Sequence, residues 1–305
     1  MHSSTSNLSE YVGRFAPSPT GPLHFGSLVT AVGSYLDARS RGGRWLLRVD
    51  DLDQARNVVG AADGILATLE KFGFEWNGEA IRQSARLPRY GEMLDRLRAM
   101  QAVFPCSCSR RELADSALAR DGARLYPGTC RDGPNQVRPA YAWRIRTAGS
   151  INFADLIQGP QHENLELEVG DFVVRRADGQ FAYQLAVVVD DHDAGVTHVV
   201  RGADLLHSTG RQIYLQRLFG FSTPVYAHLP VVVNEAGEKL SKQTHAPAID
   251  STRPTRALVD ALRFLGQRPP TEIAEAPVEL LWQWAIANWT LDRVPHALQV
   301  RDELR

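Results

Sequence analysis

The sequence predicts an α/β fold, a parallel sheet wound by helices, with an α+β insertion and a short helical tail. Three observations lead there. In the first hundred residues, apolar strand-like runs alternate with helix-period segments, the order that builds parallel sheets. Residues 103–175 then lose that rhythm and hold all three cysteines. Beyond Pro254 only helix-period patterns remain. The expected organisation is one half of a sheet domain over 1–102, an insertion over 103–175, the second half over 176–245 and a helical segment over 246–305.

Composition bounds the rest. With 305 residues, 44% hydrophobic and 23% charged, and a formal net charge of −1, the chain can bury an ample core. Its balance gives no overall basic signature for nucleic acid, although a local basic face is compatible with a neutral sum. The first ten residues are polar and carry no signal-peptide core. No apolar run is long enough to span a bilayer. Three clustered cysteines argue against a disulfide framework and for a reducing compartment. A soluble cytoplasmic protein is expected.

Taken in order, residues 11–15 read as a strand and 26–36 as a helix. Between them Arg14-Phe-Ala-Pro-Ser-Pro-Thr-Gly-Pro-Leu-His-Phe-Gly-Ser27 is a stiff, proline-rich loop. Such strand-to-helix loops hold phosphates, because unpaired N–H groups point outward at a helix start. The glycines follow neither G-x-G-x-x-G nor G-x-x-x-x-G-K-[ST] spacing. The loop offers Arg14, the hydroxyls of Ser18 and Thr20, and His24. A second strand, 43–50, ends in Asp50, Asp51 and Asp53, at the strand end where α/β folds bind ligands. Those acids suit a metal, a ribose or an amino group, or simply a helix cap. Helices are expected at 60–72 and 87–101.

In the insertion a short helix is expected near 111–120, a turn at 126–130, and strands at 141–146 and 152–157. Cys106, Cys108 and Cys130 can share one ion, and thiolates favour zinc. The spacing is not a paired C-x-x-C and a fourth cysteine is missing, so buried free thiols remain an alternative. Tyr126, a distant histidine or water could complete the set. Apolar runs return at 172–175 and 181–189, followed by Asp190-Asp-His-Asp193. Residues 196–200 read as a buried strand ending in Arg201, 211–219 as a helix, and 226–233 as a last strand. The tail holds helix patterns at 258–265 and 278–289. There Trp282 and Trp289 share a face, Trp284 points away, and core packing is expected. His192, His198 and His207 read as structural. Asp190 and Asp191 either position a pocket or cap a turn.

Lysine is rare: only Lys71, Lys239 and Lys242, the other 31 basic residues being arginine. Two of the three fall in Lys239-Leu-Ser-Lys-Gln243. This is either a solvated turn or a loop that places compact charges on a polyphosphate.

Pro17 to Ser27, with His24-Phe-Gly-Ser27, resembles the HIGH element of class I aminoacyl-tRNA synthetases, and Lys239–Gln243 resembles their KMSKS loop. Arg14-Phe-Ala-Pro-Ser-Pro-Thr-Gly, the Asp-Asp-His after Tyr-x-x-Ala-Val-Val-Val, and Val-Val-Arg-Gly-Ala-Asp resemble the glutamate-specific branch. The likeness implies a Rossmann-like catalytic domain with a zinc-containing insertion, a ligase that uses ATP with Mg²⁺. It implies ATP contacts from Pro17, His24, Phe25, Gly26, Ser27, Lys239 and Lys242, with His24, Lys239 and Lys242 catalytic. It implies a glutamate pocket of Arg14, Phe15, Ala16, Pro17, Ser18, Asp50, Tyr183 and Arg201. Bidentate pairing would suit Arg14 and Arg201 to the carboxylates, and Asp50 would take the α-ammonium. The family usually has Glu at Asp50, and Gln243 replaces its final Ser. The Cys-x-Cys…Tyr-x-x-x-Cys pattern implies a structural zinc on Cys106, Cys108, Tyr126 and Cys130. Only 62 residues follow Gln243, too few for an anticodon domain. That shortness resembles the paralogues that attach glutamate to queuosine in the anticodon of tRNA(Asp). The implied partners are ATP, L-glutamate and that tRNA, with no membrane and no obligate protein partner, in a monomer. A truncated enzyme charging a tRNA 3′ end, or an idle RNA-binding module, are the alternatives.

Overall fold

The computed structural model describes residues 10–118, 122, 124–240 and 247–301. Lys242 and Gln243 lie outside the described residues. The N-terminal half runs β1 (Val12–Phe15), α1 (Phe25–Arg39), β2 (Arg44–Val49), α2 (Ala61–Lys71), β3 (Ile81–Arg82) and α3 (Leu87–Ala99). Strands β1, β2 and β3 are parallel neighbours in that order, as strand–helix alternation requires. The middle of the chain contributes β4 (Val103–Cys106), β5 (Ala142–Ile145), β6 (Ser150–Asp155), β7 (Gly159–Asn164) and β8 (Val173–Arg175). There β4, β5 and β8 form a small antiparallel sheet. The β6–β7 hairpin instead joins the main body, with β6 lying parallel beside a later strand.

The second half runs α4 (Tyr183–Asp193), β9 (His198–Gly202), α5 (Leu206–Phe219), β10 (Val225–Leu229) and β11 (Val231–Val233). Strand β10 sits between β9 and β6, all parallel. Strand β9 lies alongside β1, tied by Thr197 N–H to Val12 O at 2.9 Å and Val12 N–H to the Thr197 hydroxyl at 2.9 Å. The tail packs as α6 (Pro254–Phe264), α7 (Thr271–Ala274) and α8 (Val278–Asn288), and ends in β12 (Gln299–Arg301), which pairs with β11.

Side-chain alternation distributes the sheet between two cores. Leu47, Val200, Ala227 and Leu229 face α1, α6 and α8, where Leu28, Val32, Leu258, Leu262 and Leu281 fill the interior. Val199, Tyr226 and Ile151 face the other side, against Ile213 of α5. Helix α1 approaches β10 closely. A Cβ on Gly33 would stand 2.6 Å from a Leu229 methyl, so glycine sets that spacing. Trp282 is buried and donates to Phe72 O at 2.9 Å, while Trp289 bonds Asp37 at 3.3 Å, so these indoles serve packing.

Two expectations are corrected, and one open alternative is decided. Residues 110–116 form turns rather than a helix: Ser109 and Glu112 bond each other as at a helix start, but the N–H groups of Ala114 and Ser116 reach back only three residues, to Arg111 and Leu113. The strand read at 226–233 is two strands, broken at Pro230, which has no N–H to give. Asp190 and Asp191 cap no turn. They close α4 as buried, ion-paired groups. The apolar run 181–189 belongs to α4, which is buried along most of its length and so shows no amphipathic period. Among the described residues no helix is long and apolar enough to cross a membrane.

Candidate active site and metal centre

His24 caps α1. Its Nδ1 accepts from Ser27 N–H at 3.3 Å, and its Nε2 lies 3.1 Å from the Ser27 hydroxyl. The loop before it is pinned from two sides, by Asp50 N–H to Pro17 O at 3.0 Å and Val58 N–H to Pro19 O at 2.9 Å. Gly26 is the meeting point. A Cβ there would lie 3.3 Å from the His24 ring and 3.5 Å from the carbonyl oxygen of Leu240, inside the lysine pentad. Two motifs more than two hundred residues apart in sequence therefore touch. Leu240 N–H donates to Val232 O at 2.9 Å, and Lys239 Nζ reaches Asp204 at 2.5 Å, so the described end of the pentad is anchored beside β9. The Phe15, Phe25 and Pro17 side chains are buried, the phenylalanines in the main core. Ser18 is exposed, and Ala16, Gly26 and Ser27 are half-buried at the loop surface.

Behind the loop lies a buried charge cluster. Arg14 meets Asp191 at 3.2 Å, and Arg48 bridges Asp191 at 2.6 Å and Asp50 at 2.6 Å. Asp190, 3.8 Å from Arg48, is held by Arg86 at 2.6 Å, Gln83 at 2.8 Å and the Tyr90 hydroxyl at 2.9 Å. Burial tends to raise the Asp191 pKa, but Arg14 and Arg48 outweigh it and hold the carboxyl below its ordinary range. For Asp50 burial wins over Arg48 and the pKa rises. Asp50 binds Arg48 mainly through Oδ1. Its Oδ2 is 3.5 Å from the guanidinium and is the oxygen open to another donor. Sequence reasoning missed Arg48. The signal was there, since Arg48 lies two residues before Asp50, on the same side of an extended chain.

Arg201 is buried on β9. Its Nε donates to His228 Nε2 at 3.0 Å, Nη1 to Gln212 at 2.8 Å, and Nη2 to Thr209 at 2.8 Å and Leu205 O at 3.4 Å. The edge that would clamp a carboxylate with two parallel bonds is occupied, which corrects the expected bidentate geometry. Burial raises the pKa of the Tyr226 phenol beneath it, and Arg201, Asp191 and Arg14 all act electrostatically on that ring. The Arg201 guanidinium lies over that ring, 5.5 Å from its centre. Tyr183, half-buried, starts α4 next to Gln184, which accepts from Gln212 at 3.0 Å. His198 stacks on Tyr11 at 3.9 Å and His192 on Phe221 at 3.5 Å, both structural roles.

The three cysteine sulfurs lie within 4.8 Å of one another. Cys108 and Cys130 sulfurs are 3.6 Å apart, and the Tyr126 oxygen is 3.4 Å from Cys106 and 3.7 Å from Cys108. Metal–sulfur bonds of about 2.3 Å at tetrahedral angles would set sulfurs about 3.8 Å apart, so these four atoms fit the corners of such a site. Burial opposes ionisation of Cys130, yet hydrogen bonds from Ser107 and backbone groups bring it down to about 6, while burial pushes Cys108 up to about 11. Arg144 stacks over the Tyr126 ring at 4.0 Å, while burial and the neighbouring thiols push the phenol pKa well up. The cluster can hold a metal ion. Cys108→Ser is expected to reduce bound metal from about one ion per chain to near zero and to expose the turns around it to protease. Elemental analysis of the purified variant checks this, and full metal retention would remove the assignment.

Comparison with known proteins follows the same lines. Residues 10–272 match the family model for the catalytic domain of class I tRNA synthetases (E and Q). A glutamyl-Q tRNA(Asp) synthetase of Aromatoleum aromaticum is 65% identical over 95% of this chain and 92% of its own length. One from Dechloromonas aromatica is 59% identical over 94% and 96%. Among solved structures, a glutamate-tRNA synthetase from Elizabethkingia anophelis superposes with a TM-score of 0.76 at 25% identity, covering 96% of this chain and 68% of that one.

Proposed function

The chain belongs to the class I tRNA synthetases for glutamate and glutamine, with their parallel-sheet catalytic fold, and from that premise we propose that it activates glutamate with ATP and transfers it to queuosine in the anticodon of tRNA(Asp). The observation that carries activation is the contact between the His24 loop and the lysine pentad at Gly26. The acceptor rests on the names of the relatives, which match over 92% and 96% of their own length.

In this reading the glutamate carboxylate attacks the α-phosphate of ATP, a P–O bond forms, and pyrophosphate leaves with the electrons of the broken one. Such a reaction needs positioning and charge stabilisation rather than a nucleophilic side chain. His24 and the N–H groups opening α1 face the phosphates. Pro17, Phe25, Gly26 and Ser27 shape the nucleotide site, where the buried Phe25 contributes backbone only. Lys242 and Lys239 neutralise the leaving pyrophosphate, and Mg²⁺ accompanies ATP. Arg14 and Arg201 meet the carboxylates of glutamate, Asp50 Oδ2 its α-ammonium, with Phe15, Ala16, Ser18 and Tyr183 lining the pocket. The ion at Cys106, Cys108, Tyr126 and Cys130 is zinc and structural, since those residues lie far along the chain from the nucleotide loop. The enzyme works in the cytoplasm as a monomer, without an obligate protein partner.

The test is acylation with labelled glutamate and ATP on tRNA(Asp) with and without queuosine. Label is expected only on the queuosine-containing tRNA, and it should survive removal of the 3′ adenosine. Label on a tRNA(Glu) that lacks queuosine would overturn the reading.

A further inference from the structure

We propose that His228, oriented by Asp155, is a positioning residue that sets the guanidinium of Arg201 for the substrate carboxylate. The inference rests on the reading of Arg201 as a glutamate contact. His228 is fully buried on β10. Its Nδ1 lies 2.6 Å from Asp155 Oδ2, and its Nε2 receives Arg201 Nε at 3.0 Å, so the ring is neutral with its proton on Nδ1. Burial, with Arg201 alongside, carries the histidine pKa down to about 4, consistent with that state.

Asp155 is itself fixed. Its Oδ1 accepts from the N–H groups of Ile157, Gln158 and His228 at 2.9–3.1 Å. Carboxylate, imidazole and guanidinium form one hydrogen-bonded line across β6, β10 and β9. Gln212 and Thr209, at 2.8 Å each, fix the other two nitrogens of Arg201, and Gln212 is held in turn by Gln184 beside Tyr183. Four acceptors engage four of the five N–H bonds of Arg201 (His228, Gln212, Thr209 and Leu205 O). One N–H on Nη1 is left over, and it gives a single directed bond. A free arginine would offer a carboxylate several equivalent poses. This one offers a single pose, which favours one chain length of amino-acid side chain over others.

The line is chemically one-way. Arg201 can only donate, so the facing ring atom must accept, and the opposite ring nitrogen must then donate to Asp155. Leucine at 228 would break both bonds. Glutamine places an acceptor near the former Nε2 and keeps the first of them.

The experiment is steady-state glutamate-dependent ATP–pyrophosphate exchange on the full chain, with KM measured separately for glutamate and ATP. His228→Leu is expected to raise KM for glutamate by about 10–100-fold with KM for ATP within about twofold, and His228→Gln to recover most of that loss. Gln212→Met, which leaves Asp155 and His228 intact, is expected to raise KM for glutamate alone and serves if His228→Leu does not fold. Equal rises in both KM values, or no difference between the leucine and glutamine variants, would overturn the inference. Wild-type protein that exchanges no pyrophosphate with glutamate would instead overturn the glutamate reading itself.

Discussion

His24→Ala is expected to lower glutamate-dependent ATP–pyrophosphate exchange by about 10²–10³-fold, the usual loss when one transition-state donor is removed. The same change takes away the cap on α1, because His24 Nδ1 accepts from Ser27 N–H. A lost cap costs about 1 kcal/mol, which alone would leave the protein folded. His24→Asn separates the two effects. Asparagine is a good cap and should restore the melting temperature, but it brings no imidazole to the phosphates. Exchange that recovers together with the melting temperature in His24→Asn would reduce His24 to a helix cap.

Asp191→Ala is expected to give the largest stability loss, about 3–5 kcal/mol. Two buried arginines, Arg14 and Arg48, share this carboxylate at 3.2 and 2.6 Å, and Arg48 also meets Asp50 at 2.6 Å. Against a total of roughly 5–15 kcal/mol, that loss brings the chain near unfolding at working temperature. Asp191→Asn keeps the volume and one acceptor, and should lose less. Urea midpoints at constant slope measure the series. An alanine variant within about 1 kcal/mol of wild type would mean that water replaces the carboxylate and that the cluster is solvated.

The strand–helix alternation and the His24 loop were legible because both are local. A run of alternating apolar residues, prolines that forbid regular structure, and a helix period all lie within one window of sequence. The lysine pentad was legible by contrast with a chain that otherwise uses arginine. What escaped was pairing across distance. Nothing near Arg48 announces Asp191, 143 residues on, and nothing near Arg201 announces that His228 will occupy its Nε. The helix α4 hid for a different reason. Packed against neighbours along most of its surface, it carries no polar stripe, so its sequence reads only as apolar. Strand β7 hid because Gly-Pro-Gln-His-Glu-Asn is polar, and its register is set by its partner β6 rather than by an apolar face of its own.

Strand β11 has only three residues, yet both of its edges are taken. Val231–Val233 pairs with Gln299–Arg301 on one side, and Val232 and Val233 receive Lys239 and Leu240 on the other. The root of the lysine turn is thus moored to the last described strand of the chain. What reads in the sequence as a tail left over after the catalytic motifs is in the molecule a foundation for one of them.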